Sequence, residues 1–317
     1  MKKILCTIGI IGIAVMLASC SKEHDLNNDS LKRVPIVFGS TIEATTRAIA
    51  NTATQFAAND KIGIIGYRAD NAEKITDFSD PFLNKMEFTY GSNNVFSSAP
   101  NANAYWQLGK FHNFYAYYPS NLNIIAGGNN ITPTTTLTVA RDTGIVDDVM
   151  HANIESYKFT GATATAQLNF THKLSKVRFK VSLNQQNNST VLNKIEFTMK
   201  HSTGTYNVVN GDVTNLTGNS VSLNKASMEQ LVNATPTDVN AEWIVLPGDT
   251  LSNIKLTING PQELLVTIPN GIITTTVGKV TTIAITITIH VPQASKRSKI
   301  GIAPQAQVEC TSSFCNW

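Results

Sequence analysis

The segment Ile283-Ala284-Ile285-Thr286-Ile287-Thr288-Ile289-His290-Val291 alternates apolar and polar residues without a break. A helix would scatter these isoleucines around its circumference; a strand puts Ile283, Ile285, Ile287, Ile289 and Val291 on one face and Ala284, Thr286, Thr288 and His290 on the other. Such a strand buries one side and shows the other. Leu174–Leu183 repeats the pattern, with Val177, Phe179 and Val181 against Lys176, Arg178 and Lys180. Further strands are expected at Val34–Phe38, Lys61–Arg68, Met86–Tyr90, Phe111–Tyr118, Thr135–Ala140, Thr165–Phe170, Lys194–Met199, Thr205–Val209, Ala241–Leu246, Ile254–Ile258 and Glu263–Ile268. Asn210-Gly211 and Asn270-Gly271 read as hairpin turns. One short helix is expected at Asn224–Leu231. The fold class is therefore all-β.

Composition narrows the function. Hydrophobic residues make up 42% of the 317 and charged residues only 15%, a charge-poor chain with enough apolar side chains for a packed core. Thr and Asn are abundant, which suits half-buried strands and turns of a secreted protein. A net charge of +3 gives no footprint for nucleic acid.

The N-terminus sets the compartment. Lys2 and Lys3 precede an apolar run from Ile4 to Leu17 that is short for a membrane span, so residues 1–20 read as an export signal. Leu17-Ala18-Ser19-Cys20 resembles a bacterial lipobox, in which Cys20 is acylated and anchors the chain to the outer membrane. The polar stretch after Cys20 reads equally as a surface-export signal or a solvated tether. Of the four cysteines, only Cys310 and Cys315 remain for the folded protein; they either pair in a small loop or stay free.

Signatures of chemistry are missing: no GxSxG elbow, Walker loop, GxGxxG or HExxH occurs. No catalytic residue, metal site or cofactor is expected. Asp147-Asp148-Val149-Met150-His151 is the one tight acid/His cluster, read as a charged strand edge, with a cation held by Asp147 and His151 as the alternative. His172 reads as a packing residue. Tyr105-Trp106 and Phe111–Pro119 read as core, with an exposed sugar-stacking platform as the alternative.

Several segments follow one another along the chain: the lipobox Leu17–Cys20, the short strand Val34–Phe38, Ala44-Thr45-Thr46-Arg47-Ala48, Gln55-Phe56 with Asn59–Ile64, Tyr105-Trp106 with Phe114–Pro119, Asp148-Val149-Met150, and Leu168–Val177. In this order they resemble the fimbrillin-like family of Bacteroidales, which includes fimbrial stalk and tip subunits. The resemblance implies two tandem transthyretin-like β-sandwich domains. It also implies an assembly route: an Arg-specific protease cuts between Arg47 and Ala48, the strand carrying Val34, Ile36 and Phe38 is removed, and a strand of another fimbrial subunit fills the groove. An open strand edge is a template for such addition.

The expected organisation is a signal at 1–20, a tether and propeptide at 21–47, an N-terminal sandwich at 48–158, a C-terminal sandwich at 159–291 and a tail at 292–317. One large sandwich is the alternative. The tail departs from the family pattern, being weakly strand-like at most. The candidate donor is therefore the strand with Ile283, Ile285, Ile287, Ile289 and Val291, or the subunit accepts without donating and ends a filament. The leading expectation is a fimbrial subunit with surface ligands on host or bacterial cells. The other is an anchored glycan-binding lipoprotein that never polymerises.

Overall fold

The computed structural model describes residues 34–43, 55–91, 93–161, 165–184, 190–259, 262–265, 272–290 and 305–316. Among them every regular element is a strand. The first eight are β1 (Val37–Ile42), β2 (Lys61–Ala69), β3 (Leu83–Tyr90), β4 (Val95–Ser98), β5 (Phe111–Tyr118), β6 (Thr134–Thr138), β7 (Met150–Lys158) and β8 (Thr165–His172). Next come β9 (Ser175–Leu183), β10 (Val191–Met199), β11 (Thr203–Asn207), β12 (Val213–Thr217), β13 (Val221–Lys225) and β14 (Gln230–Leu231). The last six are β15 (Thr237–Val245), β16 (Thr250–Ile258), β17 (Gln262–Leu265), β18 (Ile273–Thr274), β19 (Lys279–His290) and β20 (Gln305–Asn316).

Seven strands close a barrel in the order β1-β4-β3-β2-β5-β7-β8. Its interior is aromatic: Phe38, Phe88, Phe96, Phe114 and Phe170 are fully buried there. The closure is thin. β7 and β8 pair only at Met150↔His172 and His151↔Thr171. The remaining described strands form a sheet built on β10 and β16, a three-stranded sheet β12-β11-β6, and a four-stranded sheet β15-β9-β19-β20. These enclose a second, larger core around Phe179, Phe197, Trp243 and Ile285.

The two cores meet across β2 and β5. The alternate residues Ile65, Tyr67, Tyr115 and Tyr117 point out of the barrel and belong to the larger core. Both faces of β5 are therefore covered, and His112 through Tyr117 are all buried. Gly63 is required beside them, because a Cβ there would lie 2.2 Å from the Tyr117 ring.

Three placements differ from the sequence reading. β8, expected to begin the second half, closes the barrel beside β1 and contributes Ala166, Leu168 and Phe170 to the barrel core. β6 lies between barrel strands in sequence yet pairs with β11, and Leu137, Val139 and Ile145 join the larger core. Asn224–Leu231 is not a helix. Residues Val221–Lys225 and Gln230–Leu231 both pair with β10, and Ser227 and Glu229 take positive φ values of 56° and 44° to turn between them. Local propensity yields here to two ladders on one partner strand.

Candidate functional site: the inserted first strand

β1 is held on both sides. It runs antiparallel to β4 through Val37↔Ser97, Phe38↔Phe96 and Gly39↔Val95. It runs parallel to β8 over six pairs, from Val37↔Thr165 to Ile42↔Phe170. Ahead of it, Ile36 N–H donates to Ala104 O at 2.9 Å and Trp106 N–H to Val34 O at 2.9 Å. Beyond it, Glu43 N–H donates to Phe170 O at 2.9 Å.

The expected alternation holds: Ile36 and Phe38 are fully buried, and half-buried Val34 packs against the same core. Phe38 meets Phe88 at 5.2 Å and Phe114 at 5.0 Å between ring centroids, both edge to face. The ladder continues four residues past Phe38 to Ile42, which is also buried. The Gln167 side chain lies over Gly39, where a Cβ would come within 2.3 Å of its amide, so a larger residue there would displace this exposed, flexible side chain. Taking β1 away would bare a groove floored by Phe88, Phe96, Phe114, Leu168 and Phe170, with unpaired backbone on β4 and β8.

Cys20, Arg47 and Ala48 lie outside the described residues, as do Val291 and the side chain of Ile289. Ile283, Ile285 and Ile287 are buried in β19, between β9 on one side and β20 on the other. Cys310 and Cys315 pair in register with Ile285 and Val280 along β20. Five residues of extended strand span roughly 16 Å, and a disulfide needs Cα atoms within about 7 Å. Residues Gln305–Asn316 of the tail thus form a strand, and within it these two cysteines cannot bridge.

The acid/His cluster does not converge. His151 is buried, with Nε2 at 3.0 Å from Val208 O, and burial together with Lys173 lowers its pKa to about 4. Asp148 bonds His172 Nδ1 instead. Among the described residues no group of three His, Cys, Asp or Glu side chains is placed to hold a metal. The aromatic segment is core: Trp106 is 1% exposed and stacks on Phe159 at 5.1 Å. Its neighbour His112 is fully buried, and desolvation with nearby Arg68 pushes its pKa to about 4.

A crystal structure of a candidate cell adhesion protein from Bacteroides ovatus superposes with TM-score 0.59 at 16% identity, over 89% of this chain and 97% of that one. A second candidate cell adhesion protein, from Bacteroides uniformis, gives 0.53 at 21% identity over 89% and 97%. A fimbrial protein from Bacteroides vulgatus gives 0.50 at 16% over 87% and 98%. These likenesses concern the fold. Among curated proteins none matches. The fimbrillin-like family profile matches residues 46–302, most of the chain's length, and the protein belongs to that family.

Proposed function

We propose that this protein is a structural, adhesive subunit of a surface fimbria, exported as a lipoprotein through Cys20, cut after Arg47 and assembled by strand exchange. Family membership supports a fimbrial subunit role at the cell surface. The observation that carries the finer reading is β1: one short strand, laddered on both sides, with Ile36 and Phe38 filling an aromatic core. A strand of another subunit with the same alternation would satisfy the same backbone groups and refill the same space. Head-to-tail addition of this kind does not close, so it extends. In this reading the two cores correspond to two transthyretin-like sandwiches.

Arg47 follows β1 in the chain, so cleavage there separates β1 from the body without breaking its hydrogen bonds. An incoming strand must still displace it. The candidate donor β19 lies inside its sheet, paired with β9 and with β20, so it donates only after both pairings have broken.

Intact-mass measurement of the surface protein tests the route. A mature chain beginning at Ala48 supports it; one beginning at acylated Cys20 supports permanent anchoring. In solution, trypsin-like cleavage at Arg47 should give slow oligomers resistant to SDS, and Arg47→Ala under the same treatment should form no SDS-resistant oligomers. Cleaved protein that stays monomeric and binds no peptide copied from Val34–Phe38 or Thr281–Val291 overturns strand exchange.

A further inference from the structure

Among the described residues, β8 is unpaired along part of its outer edge. A strand residue turns its N–H and C=O to one side, and the next residue turns its own to the other. Phe170 O accepts from Glu43 N–H, so Phe170, Leu168 and Ala166 face β1 with their backbone groups. Gln167 and Asn169 face away, toward β7, whose pairing reaches only Thr171 and His172. Among the described residues, nothing pairs with the backbone groups of Gln167 and Asn169. Their side chains, like that of Thr165, are exposed.

Natural edges are guarded by charge, proline or a bulge. β7 has Glu155, Lys158 and a positive φ of 56° at Ser156. β15 has Asp238, Glu242 and a register shift. Thr165-Ala166-Gln167-Leu168-Asn169-Phe170-Thr171 has no charge and no proline.

The other half shows what occupies this position. There β19 runs parallel to β9, as β8 runs parallel to β1, and the outer edge of β19 bears β20 in antiparallel pairing over twelve pairs. Among the described residues, the matching edge of β8 meets a strand, β7, only at Thr171 and His172, and none along Thr165–Phe170. β20 ends its own sheet, so its far side is also an edge among the described residues, with one charge, Glu309, in twelve residues.

We propose that the outer edge of β8 docks the outer edge of β20 from a second copy of this chain, continuing one sheet from subunit to subunit while β1 stays in place. The two edges differ, so the contact is heterologous and propagates. It needs no cleavage, which separates it from strand exchange.

The test uses the chain from Ser21 to Trp317 carrying Arg47→Ala, so that β1 cannot be lost. Sedimentation velocity over a concentration series should show reversible association. Adding Gln167→Pro removes one outward N–H without touching the β1 ladder, and should weaken association about tenfold or more. Gln167→Lys, which guards the edge by charge, should do the same if the proline variant melts early. A peptide copying Gln305–Asn316 with both cysteines changed to serine should inhibit association. The idea is overturned if the parent stays monomeric throughout, or if both Gln167 variants associate like the parent. Inhibition by a Thr165–Thr171 peptide and not by the β20 peptide would also overturn it, since that outcome means β8 pairs with its own copy.

Discussion

Phe38 of β1 and Phe114 of β5 meet edge to face at 5.0 Å, with ring planes at 81°, across the middle of the barrel. This contact ties β1 to the segment buried on both faces. Truncating Phe38 to alanine should cost about 3–5 kcal/mol. Urea unfolding should show the loss, and an added peptide copied from Val34–Ile42 should restore part of it. Undiminished stability would mean β1 is not a structural part of the uncut chain.

The alternation in β19 makes a paired comparison. Ile287 is fully buried while Thr286 is half-exposed and bonds Ser182 Oγ at 3.2 Å. Ile287→Ala should lose about 2–5 kcal/mol, and Thr286→Ala much less. Similar melting temperatures for the two variants would contradict the burial of this face.

Two buried histidines predict acid sensitivity. His112 and His151 both have pKa values lowered to about 4, chiefly by burial, against 6.5 unfolded. Between these values the unfolded chain binds more protons, so the stability is present above about pH 6.5 and lost as pH falls toward 4. Each contributes on the order of 3 kcal/mol. His151→Gln should flatten the fall in melting temperature between pH 6.5 and 4. An unchanged slope in that variant and in His112→Phe would refute it.

Asp249 is fully buried and pinned. Its carboxylate accepts from His201 N–H at 3.1 Å, Thr250 N–H at 2.7 Å and His201 Nδ1 at 2.8 Å. Asp249→Ala strands two backbone donors and should cost about 2–3 kcal/mol. Asp249→Asn, which keeps one acceptor oxygen, should cost less in a thermal melt.

Lipidation is tested apart from folding. Cys20→Ala should abolish incorporation of labelled palmitate and release the precursor from the outer membrane. Equal labelling of both proteins would place the anchor elsewhere.

Residue order alone determined the strand content and most inward faces. Phe111–Tyr118 matches β5 end to end, and Val177, Phe179 and Val181 are buried as their alternation requires. Period-two patterning is local, so it survives without knowledge of the partner strand. The family resemblance likewise rested on contiguous segments such as Phe114–Pro119 and Leu168–Val177. Only the tertiary structure decided which edge each strand meets. β8 closing the barrel, β6 crossing to β11, Gly39 and Thr41 continuing β1, and Gln305–Asn316 forming β20 all depend on contacts far apart in sequence. The same holds for His151, which looked like an edge residue and lies under Val208 and Gly211. Long-range pairing is set by which edges and apolar faces are left to cover once the chain closes, and local periodicity carries no record of that choice.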